Sequence, residues 1–542
     1  MHDLSLLRDG DAFSLSPSTP ARIALVHHSF RTVSVRRGQT RQRFAAHFPA
    51  LGLLSIAQSL RVDGERGRLD PPELRYFDQE VYPDEQQMAD AIESWLAPSG
   101  RRIVAASSYT PTVDRLEEFL GRFDPTRYLI VVGGAHASLA PDIKNTHFVV
   151  RGEGAAAFRH ILTTFLSPRF GEGPEAAGVC YQLDGREVVR RQAFDRSIEE
   201  SPPPVFAYDL LPDQMSYGQV YATNFTRMLG QCPQVYICTQ SCAARCTFCS
   251  TYLIHGRHVA RSPDLVARDI DYLVRTLGHD SLELHDDDLM QHPELGKLLD
   301  VLGNIGVPWF CYARVERIDK TIAHRLATAG CRRVFLGLET MRQANLDYFN
   351  KQTTVAQNRA AVGHLAAAGI GVVAGFIIGS PDDTVASIMY DLDAFLSLPL
   401  FAINCSILSP DPGTAEFRRA RRRAELRPAL GGDRGTRLVP DPERYGLTAP
   451  MGLPTVCQSL SKPTLNLLQT LIDARFYMRV PIWDGLVRGR TAAQRSVVAD
   501  YYRFLGQSLT VLSDDEVPPL ARDHLDAARS AMTNGPWATV TI

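Results

Sequence analysis

Three cysteines, Cys242, Cys246 and Cys249, stand in the stretch CTQSCAARCTFCS, which runs from Cys238 to Ser250. Their spacing is C-x3-C-x2-C, short enough for one loop to offer all three thiols to a single inorganic group. A zinc site usually takes four N/S ligands in paired knuckles, and no second knuckle follows downstream. An iron–sulfur cube normally takes four thiolates as well. Three thiolates therefore leave one metal position without a protein ligand, as reactive metal centres do for a substrate or cofactor. Counting alone admits a second register, Cys238/Cys242/Cys246, which lacks the closing x2 step. Cys232 could add a fourth ligand but reads as a lone thiol ahead of a strand.

The cluster directly follows the first strand of a β/α alternation. Strands are expected at Gln234–Cys238, Ser281–His285, Trp309–Ala313, Val334–Leu338, Val372–Ile378 and Ala402–Ile407, with a helix after each of the first five. The first of these helices is well marked. Ser262 can cap it, Pro263 suits its first turn, and Leu265, Val266, Ile270, Leu273, Val274 and Leu277 form one apolar stripe before Gly278. Six such units imply an open, partial (β/α)6 barrel with its chemistry at the C-terminal ends of the strands.

An earlier alternation occupies the first third of the chain. Apolar runs at Arg22–His28, Leu74–Asp78, Arg102–Ser108, Tyr128–Gly134 and His147–Gly154 are separated by helical stretches such as LGLLSIAQSLR. This predicts an α/β, doubly wound, Rossmann-like sheet, whose ligands bind beyond the carboxyl ends of its strands. Three small-residue turns sit there: SSYT at Ser107–Thr110, GGAHAS at Gly133–Ser138 and RGEG at Arg151–Gly154. Residues 1–183 are read as this domain and 184–231 as a linker marked by Pro202–Pro204, which suits neither helix nor central strand. The barrel takes 232–415, and a mostly helical region takes 416–542.

The whole is 542 residues, 45% apolar and 22% charged, with a net charge of −2, so no global field draws nucleic acid or anionic membrane. The N-terminal residues lack the basic and apolar regions of a secretion signal, and no run approaches the roughly 20 apolar residues of a membrane span. Ten cysteines, half of them clustered, are not a disulfide framework, and a reducing cytoplasm is the expected setting.

C-x3-C-x2-C with an aromatic residue, Phe248, before its last cysteine resembles the signature of the radical S-adenosylmethionine (SAM) superfamily. The resemblance implies a [4Fe-4S] cluster on Cys242, Cys246 and Cys249, with SAM chelating the fourth iron. It further implies SAM contacts at the strand ends: Asp286 and Asp287 in LELHDDDL, Arg314 in CYARVERI, Gly337 and Glu339 in VFLGLET, and Gly379 in GFIIGSPDDT. Phe248 belongs to the same set.

The order of doubly wound domain, linker and barrel, with FPALGLLSIAQSL, VVGGAHAS and VRGEGAAAF, resembles the cobalamin-binding subgroup over roughly residues 20–415. That implies a corrin cradle at Ser107, Ser108, Gly133, Gly134, His136, Gly152, Glu153 and Gly154. The D-x-H-x-x-G motif of a histidine lower ligand is absent. The implied activity is methylation of an unactivated carbon in a small metabolite or natural-product intermediate, through a 5′-deoxyadenosyl radical and methylcobalamin. An electron donor such as flavodoxin or ferredoxin is implied as partner. The alternative is a non-methylating cobalamin-dependent cyclase or ring-rearranging enzyme.

A tRNA methylthiotransferase would need a second cysteine triad, and residues 1–231 hold only Cys180. A non-catalytic iron–sulfur protein would want four cluster thiolates. The run Arg418–Arg427 reads as a solvated helix face able to meet phosphates. His27 and His28 are expected along the cleft. Tyr445, Tyr477 and Trp483 could wall a substrate pocket but read better as core.

Overall fold

A computed structural model describes residues 1–8, 20–28, 33–36, 39–42, 49–79, 81–82, 84–166, 174–194, 197–202, 204–211, 229–426, 454–488, 490, 492–510 and 512–538. Pro203, Arg427 and Tyr445 lie outside them.

The first sheet contains β1 (Arg22–His27), β2 (Glu73–Asp78), β3 (Arg102–Ser107), β4 (Leu129–Gly133) and β5 (Phe148–Val150), all parallel. It continues through two antiparallel strands, β6 (Val179–Leu183) and β7 (Arg186–Val189), in the order β2-β1-β3-β4-β5-β6-β7. Helices α1 (Leu51–Glu65) and α4 (Gly154–Phe165) cover one face, and α2 (Glu85–Leu96) and α3 (Val113–Leu120) the other. Strand β1 shows why the apolar run is continuous. Ile23 and Leu25 enter one core while Ala24 and Val26 enter the other, each fully buried. Such burial contributes roughly 1.5–3 kcal/mol per large aliphatic side chain.

The sheet runs past residue 183, where the linker was expected to begin. Asp184 (φ 49°) and Gly185 (φ 74°) both take the left-handed conformation that a two-residue hairpin turn demands, and β7 folds back onto the edge.

The second sheet is the partial barrel. Strands β8 (Pro233–Tyr236), β9 (Ser281–Leu284), β10 (Trp309–Ala313), β11 (Cys331–Glu339), β12 (Gly371–Ile378) and β13 (Ala402–Ile407) pair in sequence order, all parallel, and the sheet curls without closing β13 on β8. The first barrel helix, Pro263–Asp271, continues into a π turn at Tyr272–Thr276, and Ser262 makes no side-chain cap bond.

The linker is pinned under this sheet. Arg261, fully buried, pairs with Asp269 and donates to the carbonyls of Ile198 (2.8 Å) and Ser201 (2.7 Å). Tyr208 Oη donates to Val235 O at 2.6 Å.

The C-terminal helix Lys462–Tyr477 covers the free edge of β13. Gln469 Nε2 and Tyr477 Oη donate to the carbonyls of Cys405 and Ile403, both at 2.6 Å, so the edge does not invite another strand. Tyr477 is buried in the core, and Trp483, half-buried against that core, packs on Tyr502 and Trp537. Among the described residues no helix is long and apolar enough to cross a membrane.

Candidate functional site

The cysteine loop leaves β8 and returns to the first barrel helix. A two-residue antiparallel ladder, Thr239 with Ala260 and Gln240 with Val259, closes its neck. Ser241, at φ 71°, donates from Oγ to Gly256 O at 2.8 Å and tightens the closure. Asp286, fully buried at the end of β9, accepts from the Thr239 amide and from Thr239 Oγ1 at 2.6 Å. Burial pushes its carboxyl up to about 7, against the opposing hydrogen bonds from Thr239. Asp286 thus supports the neck through Oδ1, while its buried Oδ2 has no hydrogen-bond partner among the described residues. Asp287 does face outward and accepts from Thr251 Oγ1 at 3.0 Å.

Within the loop, Cys246 is buried while Cys242 and Cys249 are partly exposed, and all ten cysteines of the chain are free. Among the described residues no three His, Cys, Asp or Glu side chains converge on one metal ion. A cube has no such need, because each thiolate binds a different iron. Burial pushes the Cys249 thiol up to about 11 and raises Cys242 as well, so both carry protons until metal displaces them.

Two side chains from the barrel reach the sulfurs. Gln291 Nε2 donates to Cys242 Sγ at 3.2 Å and is held by Asp288 Oδ2 at 2.9 Å. Arg314 Nη1 donates to Cys246 Sγ at 3.5 Å, while its Nη2 donates to Lys351 O at 2.5 Å. Lys351, 5% exposed, pairs with Glu339 at 2.6 Å. That pair occupies space only glycine leaves, since a Cβ on Gly337 would stand 2.4 Å from Glu339 Oε1 and 2.6 Å from Lys351 Nζ. Phe248 packs edge-on against Phe349 at 5.2 Å and anchors the loop's far side. Gly379, at φ 86°, donates its amide to Asp383 at 2.9 Å. Gln291 and Lys351 were not singled out from sequence; Asp288 was noted as the third member of the Asp-Asp-Asp run ending the second barrel strand but was not given a contact.

A cavity of about 440 Å³ lies beside this loop, walled by both sheets. From the first come Ser107, Tyr109, Gly133, Gly134, Gly152, Glu153 and Gly154; from the second, Gln240, Ile254, His255 and His285. Gly134 (φ 97°) presses against Ser107 and Ser108, where a Cβ would meet three atoms at 2.8 Å.

Ser108 is fully buried and supports the turn from behind, donating to Gly133 O at 2.7 Å and accepting from Ala137 N at 3.0 Å. His136 is also fully buried, with Nδ1 3.2 Å from Thr110 Oγ1, and is off the cavity wall. Desolvation lowers it to about 4, so it is neutral. His27 and His28 pair with Asp78 (3.0 Å) and Glu85 (3.1 Å) and are likewise off the wall. The two walls are tied together by Glu153 and His255, whose Oε1 and Nδ1 are 3.1 Å apart.

The sequence profile of the Radical SAM superfamily matches residues 236–395, which hold the cysteine loop and four of the six barrel strands. The chain carries a radical SAM domain. An uncharacterized methyltransferase of Pyrococcus horikoshii is 25% identical to it over 299 residues, covering 53% of this chain and 61% of the relative. An anaerobic magnesium-protoporphyrin IX monomethyl ester cyclase of Cereibacter sphaeroides is 25% identical over 449 residues, 78% of this chain and 67% of its own.

Among solved structures, the cobalamin-dependent S-adenosylmethionine radical enzyme OxsB, with aqua-cobalamin and SAM bound, superposes with a TM-score of 0.60 at 16% identity, over 96% of this chain and 79% of its own. The radical SAM methyltransferase TsrM from Kitasatospora setae, with cobalamin and a [4Fe-4S] cluster bound, gives 0.57 at 16% identity, over 89% and 100%. The likeness to both is one of fold, and it extends beyond the radical SAM domain into the first sheet and the C-terminal helices.

Proposed function

We propose that this protein is a cobalamin-dependent radical SAM enzyme that methylates a carbon of a small organic substrate. The observation that carries the reading is the cavity: Gly-rich turns of the first sheet and residues of the cysteine loop's own helix form its opposing walls. The donor sets suit the three cofactors. Cys242, Cys246 and Cys249 would hold a [4Fe-4S] cluster with one open iron. Arg314, Asp287, Gly337, Gly379 and the Glu339–Lys351 pair stand around the loop where SAM would lie. Ser107, Gly133, Gly134, Gly152, Glu153 and Gly154 offer backbone and small side chains to a corrin, with Ser108 and His136 behind them.

When bound, these groups supply the radical and the methyl carrier. The chain's own residues do the positioning. Gln291 and Arg314 place hydrogen-bond donors on two cluster sulfurs, and Asp288 fixes both by accepting from Gln291 Nε2 and the Arg314 amide. Glu339 and Lys351 present a paired, buried acceptor and donor. Gln240, His255 and His285 give the cavity its polar roof. Ten free cysteines suit a reducing cytoplasm, and a one-electron donor protein completes the system.

Anaerobic reconstitution with iron, sulfide and hydroxocobalamin tests this. About four irons and one cobalt per chain are expected, with label from methyl-labelled SAM appearing in product. A cluster without retained cobalt overturns the methylcobalamin reading. The cyclase alignment, which spans 78% of the chain, favours one second reading, a radical SAM cyclase, and product mass separates the two.

A further inference from the structure

The run of arginines after β13 sits against the cysteine loop. The helix Ala415–Ala420 is docked there by Glu416 N, which donates to Thr247 O at 3.0 Å, and by Phe417, which joins Phe349 and Phe248 in one apolar cluster. Residues 418–425 hold five arginines and one glutamate in a chain whose net charge is −2.

Three of the cations are fixed in place. Arg245, exposed between Cys242 and Cys246, donates to the carbonyls of Cys242, Ala243 and Ala244 and lies over the Tyr252 ring at 4.6 Å. Arg418 donates to Gly413 O at 2.6 Å. Arg419 lies over the Tyr348 ring at 4.6 Å, with Glu416 3.4 Å away. Arg422 is exposed as well. Among the described residues no carboxylate is within ion-pair distance of Arg245, Arg418 or Arg422. Charges held by carbonyls and rings lose little entropy when a partner arrives, and they steer an oppositely charged one.

We propose that Arg245 with Arg418, Arg419 and Arg422 forms the docking surface for a small acidic one-electron carrier that reduces the cluster. This rests on the reading of the cysteine loop as a cluster site. One electron passes from the reduced carrier to the cluster, the carrier is oxidised by one electron, and no bond or proton is exchanged at the surface. Arg245 stands on the loop that carries the thiols and the helix bearing Arg418 and Arg419 is bonded to that loop at Thr247, so a carrier bound there sits beside the cluster site.

The test uses the reconstituted full chain, wild type and R418E/R422E, and follows cluster bleaching anaerobically with two reductants. With a reduced acidic flavodoxin, the wild-type rate falls as salt rises, and the double reversal slows it about tenfold or more at low salt and removes the salt dependence. With photoreduced deazaflavin, a small uncharged reductant, both proteins bleach equally, which shows that the variant is folded and loaded. Equal flavodoxin rates, or a salt-independent wild-type rate, overturn the proposal. If a single-stranded RNA oligonucleotide binds the same arginines more tightly than flavodoxin at equal salt, the surface belongs to nucleic acid and the proposal falls. Absence of any cluster that deazaflavin can reduce overturns the underlying reading, and the proposal with it.

Discussion

Substituting Glu153→Gln removes the charge from the tie between the two cavity walls while keeping its shape. Glu153 is the N-cap residue of α4 in the first domain, and His255 ends the short helix that follows Cys249. Burial disfavours the imidazolium, but the hydrogen bond and charge of Glu153, with Asp287 behind, more than offset it and lift His255 above its ordinary 6.5. The side chains are 31% and 15% exposed, so solvent screens the pair, and its charged component is worth about 1 kcal/mol.

A second tie lies alongside. Gln192 Nε2 donates to the carbonyls of Leu253 (2.9 Å) and Ile254 (2.8 Å), each bond contributing about 0.5–1.5 kcal/mol. Spectroscopic titration of the cluster-loaded protein with hydroxocobalamin reads the effect, since a ligand gripped by both walls loses affinity when they part. Glu153→Gln is expected to raise Kd about fivefold, and E153Q/Q192A, at about 2–4 kcal/mol, about 30- to 900-fold. The pH dependence has a fixed sign. A raised histidine pKa means the tie is complete below 6.5 and fades as pH rises through the folded value, so wild-type affinity declines across that range while E153Q stays flat. Wild-type affinity in E153Q/Q192A would refute the two-wall account.

Gly152 (φ 80°) leaves its Cβ position 2.0 Å from Ala193 O; Gly152→Ala should abolish hydroxocobalamin binding, whereas Gly133→Ala, whose nearest neighbours are 3.8 Å away, should leave the melting temperature within a degree or two, as circular dichroism would show. Alanine at Cys242, Cys246 or Cys249 should each eliminate the cluster by iron analysis, while Cys232→Ala and Cys238→Ala retain it. Asp286 holds a proton in the fold up to about pH 7 that it loses near 3.8 when unfolded, so wild-type stability should fall as pH rises from 4 to 7, and thermal melts of Asp286→Asn should lack that slope.

All eleven parallel strands expected from sequence are present, because strands buried on both faces must be apolar throughout, and that is a local signal. The Asp184–Gly185 hairpin was also written locally, but the proline-rich stretch after it drew attention away from the short strand that the hairpin returns to the sheet. The site was legible where its residues are neighbours in sequence, as the three cysteines are. Lys351 and Gln291 escaped because what makes them matter is distant: Glu339 lies 12 residues back on β11, in space that Gly337 leaves, and Cys242 lies on another strand's loop. Asp286 and His136 carry a different lesson: polar residues at a strand end and in a Gly-rich turn read alike in sequence whether exposed or not, and here both are buried.

The ladder at the neck of the cysteine loop bears on how a cluster is lost and rebuilt. In a small zinc domain the metal itself must gather a disordered chain, and removing it unfolds the protein. Here backbone pairing joins Thr239 and Gln240 to Val259 and Ala260 while Asp286 holds Thr239, so closing the ring from Ser241 to His258, worth about 2–3 kcal/mol of chain entropy, falls to the protein and not to iron. An oxidised protein stripped of its irons would keep the ring closed, ready to be refilled without refolding.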